Sequence, residues 1–397
     1  MKEYLLSELL KIKNGRDYKH LSKGSYPVYG SGGLMQYVDD YLYDKPSILL
    51  PRKGSLSNIQ YADTPFWTVD TLYFTEVDDS KADAYYLYYY LKLLDLSNLD
   101  SGTGVPSMTF GSYYNIRVSL PELSEQNRVS VLLRTIDNTI SVNRQINDYL
   151  EAMARQLYDY WFVQFDFPDE NGKPYKSSGG KMVWNNKLKR AVPERWKVLP
   201  LKDICEIING ATPSTEDAGN YGGEIVWITP KDLSNQKSKF TFFGERNITQ
   251  KGYDSCSTSL VDEDTILLSS RAPIGLLSIA KCSLCTNQGF KSIAPKDKTM
   301  TPYLYYFIRG HLPQIEQLGS GTTFKEVSRG DIEGFPMMIP STNLLKQWTK
   351  LAKGIFDKQF LLYQEIVNSS RMRDDLLPLL MNGQVSVRQL NNHLSHD

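Results

Sequence analysis

Residues Ser101 to Pro121 are echoed, without a gap, by Ser320 to Pro340: Ser, Gly and Thr open both stretches, a glycine stands midway (Gly111, Gly330) and a proline closes each. A long run of charged and apolar residues at helical spacing follows each proline, so the likeness persists as pattern after it fades as identity. An internal duplication constrains the fold before any other feature does, because a repeated sequence folds as a repeated unit. Three further echoes carry it upstream: Lys11–Gly15 against Glu206–Gly210, Ile48–Leu50 against Ile266–Leu268, and the arginine that soon follows each, Arg52 and Arg271. The separations are 195, then 218, then 219 residues, which places an insertion of 23 residues in the second copy between Gly210 and Ile266.

Each front portion, Leu5–Pro121 and Leu201–Pro340, is a succession of short β-type runs broken by Gly, Pro, Asn and Ser, with one Tyr-rich helix at 84–94 and another at 302–312. The fold class is therefore α/β, of the mixed α+β kind. The Tyr-rich runs fit a helix packed on a sheet better than a base-stacking platform. Trp67 and Trp227 each adjoin an apolar run and are expected to pack rather than stack on bases.

A ladder of spacing three and four runs through Val129, Leu132, Ile136, Thr139, Asn143, Ile146, Leu150, Met153 and Leu157. Adding 219 gives Trp348, Leu351, Ile355, Lys358, Leu362, Glu365, Ser369, Met372 and Leu376, so both helices keep one heptad register. Two such helices would each leave an apolar stripe in water. Packing them on each other as an antiparallel coiled coil removes it, with Leu132, Ile136, Leu150, Leu157, Leu351, Ile355, Leu362 and Leu376 as pairing residues and Ile140 and Ile366 beside the seam.

Asp166 to Pro200 is rich in Gly, Pro, Ser and Lys and is expected to be a linker. Asp169 and Glu170 sit there beside a glycine in a turn-prone stretch, a poor place for a catalytic carboxylate pair. The four cysteines all lie in the second half, and Cys282–Cys285 alone lacks the further ligands a closed zinc site needs, so reduced thiols and no metal are expected. No apolar run is long enough to cross a bilayer and the start is too charged for a signal peptide, which points to the cytoplasm. Formal net charge is zero, so any DNA contact is local or shared with a partner. The chain contains no phosphate-binding GxxxxGK[ST] loop, no HExxH and no GxSxG elbow, and its four histidines have no partner at motif spacing. It is read as a protein that binds rather than reacts.

Two copies of a variable α/β domain plus a long helix, joined by a Pro/Gly-rich stretch, resemble the specificity subunit of a type I restriction-modification system. Tyr26–Gly33, Tyr43–Gly54 and Pro65–Tyr73 are similar to one common type of target-recognition domain. Trp227–Leu233, Leu268–Gly275 and Thr286–Phe290 are similar to another, and Trp161–Val163 with Asp166–Lys176 to the family's spacer between halves. The Pro193-to-Trp196 lead-in to the second domain has no counterpart before Leu5, which puts the amino-terminal edge of the first domain in question. The resemblance implies target-recognition domains at 1–122 and 201–341, long helices at 123–165 and 342–383, a linker at 166–200 and a tail at 384–397. It also implies a non-catalytic subunit that reads two short blocks of double-stranded DNA separated by a fixed spacer. Its partners would be two methyltransferase subunits bringing S-adenosylmethionine, and restriction subunits bringing ATP and Mg chemistry, with no cofactor in this chain and no membrane. A duplicated protein-interaction scaffold without a DNA role is the alternative; a nuclease would need a metal-carboxylate cluster.

Candidate DNA-contacting residues stand where strand-like runs meet turns. Arg52 and Lys53 precede Gly54, and Arg271 is taken as the counterpart of Arg52; arginine suits a guanine edge and lysine a phosphate. Ser269, Ser270, Asn287 and Gln288 are short polar groups suited to phosphate or adenine. Thr103 and Thr322 open the echoed motif and Lys231 follows Pro230, all three as backbone contacts, with Asp232 structural.

Overall fold

The computed structural model describes residues 1–96, 106–320 and 325–387. Contacts divide the chain into two compact units, one of Met1–Val142 with Ile366–Asp397 and one of Asn143–Glu365. Both are mixed α/β.

In the first unit a four-stranded sheet runs in the order Leu10–Lys13, Leu72–Val77, Ser47–Pro51, Gln60–Ala62, and a three-stranded sheet in the order Gly33–Val38, Lys23–Gly30, Trp67–Thr68. The central strand Ser47–Pro51 is buried throughout, as its unbroken apolar run requires. Helix Ala84–Leu93, capped by Asp83 accepting from the Tyr86 amide, packs its tyrosines inward, so the ring-rich run serves the core. In the second unit a five-stranded sheet runs Cys205–Asn209, Phe290–Pro295, Ile266–Ser269, Leu277–Ala280, Phe240–Thr241. A three-stranded sheet there runs Arg246–Ile248, Tyr221–Ile228, Cys285–Thr286, and helix Thr301–Gly310 is buried over its first eight residues.

The duplication is written into strand register. Lys2 pairs with Leu120 and Lys197 with Ile339; Leu10 pairs with Val77 and Cys205 with Pro295; Leu50 pairs with Tyr73 and Leu268 with Lys291. Each pair in one copy maps onto the other by the separations read from sequence. Strand Lys2–Leu5 is the counterpart of Lys197–Pro200, so the first domain does have the edge strand that its missing Pro-x-x-Trp motif put in doubt. The extra residues of the second copy supply helix Pro230–Gln236, strand Phe240–Thr241 and helix Gln250–Asp254.

The stretch 166–200 is not a loose linker. Phe165, Phe167, Val192 and Trp196 are buried in the core of the second unit, Phe167 stacks on Tyr175 and Trp196 with ring centroids 4.7 and 5.5 Å apart, and Met182–Asn185 pairs with Arg190–Pro193 as a hairpin. Its polar composition hid three apolar anchors, Phe167, Val192 and Trp196, packed beside Phe165. Asp169 is used locally, accepting from the amides of Asn171 and Lys173.

Helices Leu123–Tyr158 and Thr342–Met381 follow the closing prolines, the first continuing into a π-helical turn at Asp159–Val163. Within each unit they run antiparallel. In the first unit Val129 and Leu133 share a core with Leu377, Leu380 and Met381, Ile136 and Ile140 meet Ile366, and Arg373 Nη1 donates to Asp137 Oδ1 at 2.8 Å. In the second, Asn143 donates to Glu365 Oε2 at 2.9 Å and Gln359 to the Asn147 carbonyl at 3.3 Å, while Tyr158 packs on Trp348. The heptad period is as expected but the buried face is turned by one residue at every second position: Leu133, Ile140, Asn147 and Ala154 face inward in place of Leu132, Thr139, Ile146 and Met153. The same turn occurs 219 residues on, at Ala352, Gln359, Ile366 and Arg373. Ile136 and Leu362 are buried as expected, Leu132, Leu157, Ile355 and Leu376 pack at the margin, and Leu150 is half-buried. Leu351, expected as a pairing residue, is instead 47% exposed, its place in the buried face taken by Ala352. The cause is that the seam is partly polar: Gln359 bonds across it to the Asn147 carbonyl and to Glu151, and a ladder chosen by hydropathy takes Ile146 and Met153, which are 38% and 50% exposed, over Asn147 and Ala154.

Candidate nucleic-acid interface

In the second copy strand ends of both sheets meet at one edge, where backbone hydrogen bonds gather five loops. The Ala211 amide donates to Thr286, Asn287 to Ile228, Ser270 to Gly289 and Val327 to Ser270. Gly210 makes the closest approach, because a Cβ there would lie 2.1 Å from the Thr286 carbonyl oxygen. The first copy builds the same edge: Arg16 donates to Thr68, Met108 to Arg52, Gly54 to Pro106, and a Cβ on Gly15 would lie 2.0 Å from the Val69 oxygen. These close approaches explain the echo of Lys11–Gly15 in Glu206–Gly210, since both glycines let one strand end pass against a neighbouring backbone. Trp67 and Trp227, on different strands of that layer, are both buried and both donate their indole N–H to this turn, to the Arg16 and Ala211 carbonyls at 2.9 and 3.1 Å.

The edge shifts the expected equivalence by one residue. Leu50 and Leu268 occupy like positions, and so do Arg52 and Ser270, each accepting from the returning chain at Met108 and Val327. The counterpart of Arg271 is therefore Lys53, not Arg52: the two form matching bridges, Lys53 with Ser107 and Arg271 with Glu326. Both are exposed, so a cation recurs at the shared position. Arg52 lies half-buried beside it, with Nη1 donating to the Asp70 carbonyl at 3.4 Å and its guanidinium 6.0 Å from the Tyr73 ring. Among the described residues Lys53 and the exposed Arg16 have no ion-pair partner; Arg16 carried no sequence signal beyond its place after Gly15.

Ser269 and Ser270 do not face solvent. They are 0% and 1% exposed, with the Ser269 hydroxyl donating to the Pro273 carbonyl at 2.7 Å and accepting from the Leu276 amide, and the Ser270 hydroxyl donating to Gly289. A sequence of two serines after an apolar strand looks like a polar tip, but both hydroxyls are consumed in shaping the turn, which leaves no group for DNA. Asn287 spends its side-chain oxygen on the Gly289 amide at 2.9 Å, keeping its amide nitrogen, and exposed Gln288 accepts from Thr212. Lys231 is exposed and paired with Glu245 at 2.8 Å; Asp232 is buried, caps its helix through Thr229 and accepts from the Glu245 amide, a structural role as expected. Thr103 and Thr322 lie outside the described residues.

Glu326, for which the sequence held no hint, stands at the centre of the second edge. It is joined to Arg271 Nε at 3.0 Å and to Lys291 Nζ, which is 9% exposed, at 3.1 Å. Burial alone would raise its pKa, but Lys291 and then Arg271 outweigh that and hold the carboxyl below the usual range. Burial pushes the thiols of Cys205 and Cys285 up to about 12 and about 11. Among the described residues no three His, Cys, Asp or Glu side chains converge as a metal site, and no helix is long and apolar enough to cross a membrane.

The family model for the type I restriction modification DNA specificity domain matches this chain twice, at residues 1–152 and 193–350. The type I restriction enzyme MjaIX specificity subunit of Methanocaldococcus jannaschii is 41% identical over 167 residues, 41% of this chain and 39% of that protein. The HindI specificity subunit of Haemophilus influenzae is 26% identical over 345 residues, 75% of this chain and 74% of its own. The crystal structure of a type I restriction-modification S subunit from M. genitalium has the same fold, with a TM-score of 0.65 at 16% identity over 96% of this chain and 95% of that one. With two matched regions covering most of its length, each holding one copy of the duplicated edge, the chain belongs to the type I restriction-modification DNA specificity family.

Proposed function

We propose that this chain is the non-catalytic DNA-reading subunit of a type I restriction-modification complex in the cytoplasm, that each copy reads one short block of a bipartite target, and that the long helices fix the spacer between the blocks. The observation that carries the reading is the repeated loop edge, with a cation at one shared position, Lys53 and Arg271, in two copies whose strand registers coincide. Arg16, Arg52, Lys53 and Thr103 in the first copy, and Lys231, Arg271, Asn287, Gln288 and Thr322 in the second, are the proposed contacts, cations anchoring phosphate or reading guanine and the amides reading adenine. A neutral chain attracts phosphate only locally, so methyltransferase subunits would share the binding and supply S-adenosylmethionine for adenine methylation. Restriction subunits would supply ATP-driven cleavage with Mg. Co-purification with a methyltransferase partner, followed by competition between specific and scrambled duplexes, tests this. Sequence-specific binding that needs the partner supports it, and tight partner binding with no effect of DNA sequence supports an interaction scaffold instead.

A further inference from the structure

The two edges differ at their shared position in a way that fits different tasks. In the second copy Arg271 is held through Nε by Glu326 at 3.0 Å while its side chain stays 47% exposed. Glu326 is itself fixed: its other carboxylate oxygen meets the nearly buried Lys291 at 3.1 Å, and its backbone exchanges hydrogen bonds with Ser320 at 3.0 and 3.1 Å. Lys291 projects from the strand next to the one that leads into Arg271, paired with Leu268. An arginine bound at Nε keeps both terminal nitrogens as donors, and those two make the bidentate contact to guanine O6 and N7. In the first copy Ser107 stands where Glu326 does, Tyr73 where Lys291 does, and Lys53 carries the cation on a free four-carbon stem.

We propose that Glu326 is a positioning residue for base readout: anchored on Lys291, it aims the Arg271 guanidinium at a guanine in the block read by the second copy, whereas Lys53 contacts backbone phosphate. This rests on the DNA-reading function proposed above. It deepens that reading by making the one shared position a base contact in the second copy and a phosphate contact in the first.

The test is a double-mutant cycle in the complex reconstituted with its methyltransferase partner, using Arg271→Ala, Glu326→Gln and both together. Readouts are the methylated motif and the ratio of affinities for the cognate duplex and one with that guanine replaced. Arg271→Ala and Glu326→Gln should each lower the ratio by roughly tenfold or more, with one base position relaxed. In the Arg271→Ala background Glu326→Gln should change it no further, because the carboxylate acts only through the arginine. A second pair, Glu326→Gln with Lys291→Met, removes the ammonium left unpaired and should show the same relaxed position, which separates positioning from misfolding. Lys53→Ala should leave the motif intact and lower the slope of log affinity against log salt by about one. Glu326→Gln with full discrimination, or an additive cycle, overturns the positioning role while DNA reading stands. A wild-type complex with no sequence preference overturns the underlying function instead.

Discussion

Glu151→Gln should strongly destabilise the second unit. Glu151, on the first long helix, pairs with Lys239 and Arg309 and accepts from Tyr306 at 3.1 Å and Gln359 at 3.3 Å. The Lys239 side chain is 8% exposed, donates to Tyr306 and Gln359 at 2.8 Å each, and is ringed by Phe356, Tyr306 and Tyr305 at 4.1, 4.9 and 5.2 Å. Neutralising Glu151 leaves a buried ammonium facing Arg309, a change that costs about 3 to 5 kcal/mol, a large part of the total of roughly 5 to 15 kcal/mol that holds a domain folded. Burial already pushes the Lys239 pKa down to about 8, against the pull of Glu151. Its folded value is thus below its unfolded one, so between them the unfolded state holds the extra proton and stability rises with pH. The burial cost is felt in full below about 8 and fades above it. Without Glu151 the folded value drops further, so recovery begins at lower pH. Urea unfolding followed by tryptophan fluorescence at pH 7 and pH 9 measures this, Trp161 and Trp348 reporting from the same core. The variant should lose several kcal/mol at pH 7, less at pH 9, and regain most of the loss when Lys239→Met is added. A loss under about 1 kcal/mol at pH 7, or one that does not change with pH, refutes the argument.

The turned helix face makes a paired prediction: Leu133→Ala, at a fully buried side chain, should cost about 2 to 5 kcal/mol. Ile146→Ala, 38% exposed, should cost well under half of that in the same denaturation assay. Inserting one heptad after Leu150 and another after Ser369 keeps the seam in phase and lengthens each helix by about 10 Å. If the helices set the spacer, the methylated motif should keep both blocks and gain about three base pairs between them, whereas a four-residue insertion should disrupt assembly.

Much of the molecule was legible in the sequence because duplication is read from identities and offsets, and offsets translate directly into strand register. The separation of 218 at Ile48 and Ile266 matched the central strand of one copy to that of the other, and the closing prolines marked where both long helices begin. What was missed shares one cause: tertiary hydrogen bonds and burial decide which of two neighbouring residues faces where. Arg271 matched Arg52 by letter, but the strand places it with Lys53. Ser269 and Ser270 looked available until the turn consumed their hydroxyls. The seam took Gln359 over Lys358 because its side-chain amide bonds across the interface to the Asn147 carbonyl and to Glu151. Glu326 was illegible because its role depends on Lys291, which lies 35 residues away and meets it only in the folded sheet edge.

The central claim is that each copy reads its own block of DNA. Replacing Leu201–Pro340 by the second recognition domain of another family member, reconstituting the chain with its methyltransferase partner, and mapping methylated adenines across exposed DNA tests it directly. One block of the motif should change while the other block stays as in the parent. A change in both blocks, or in neither, would contradict it.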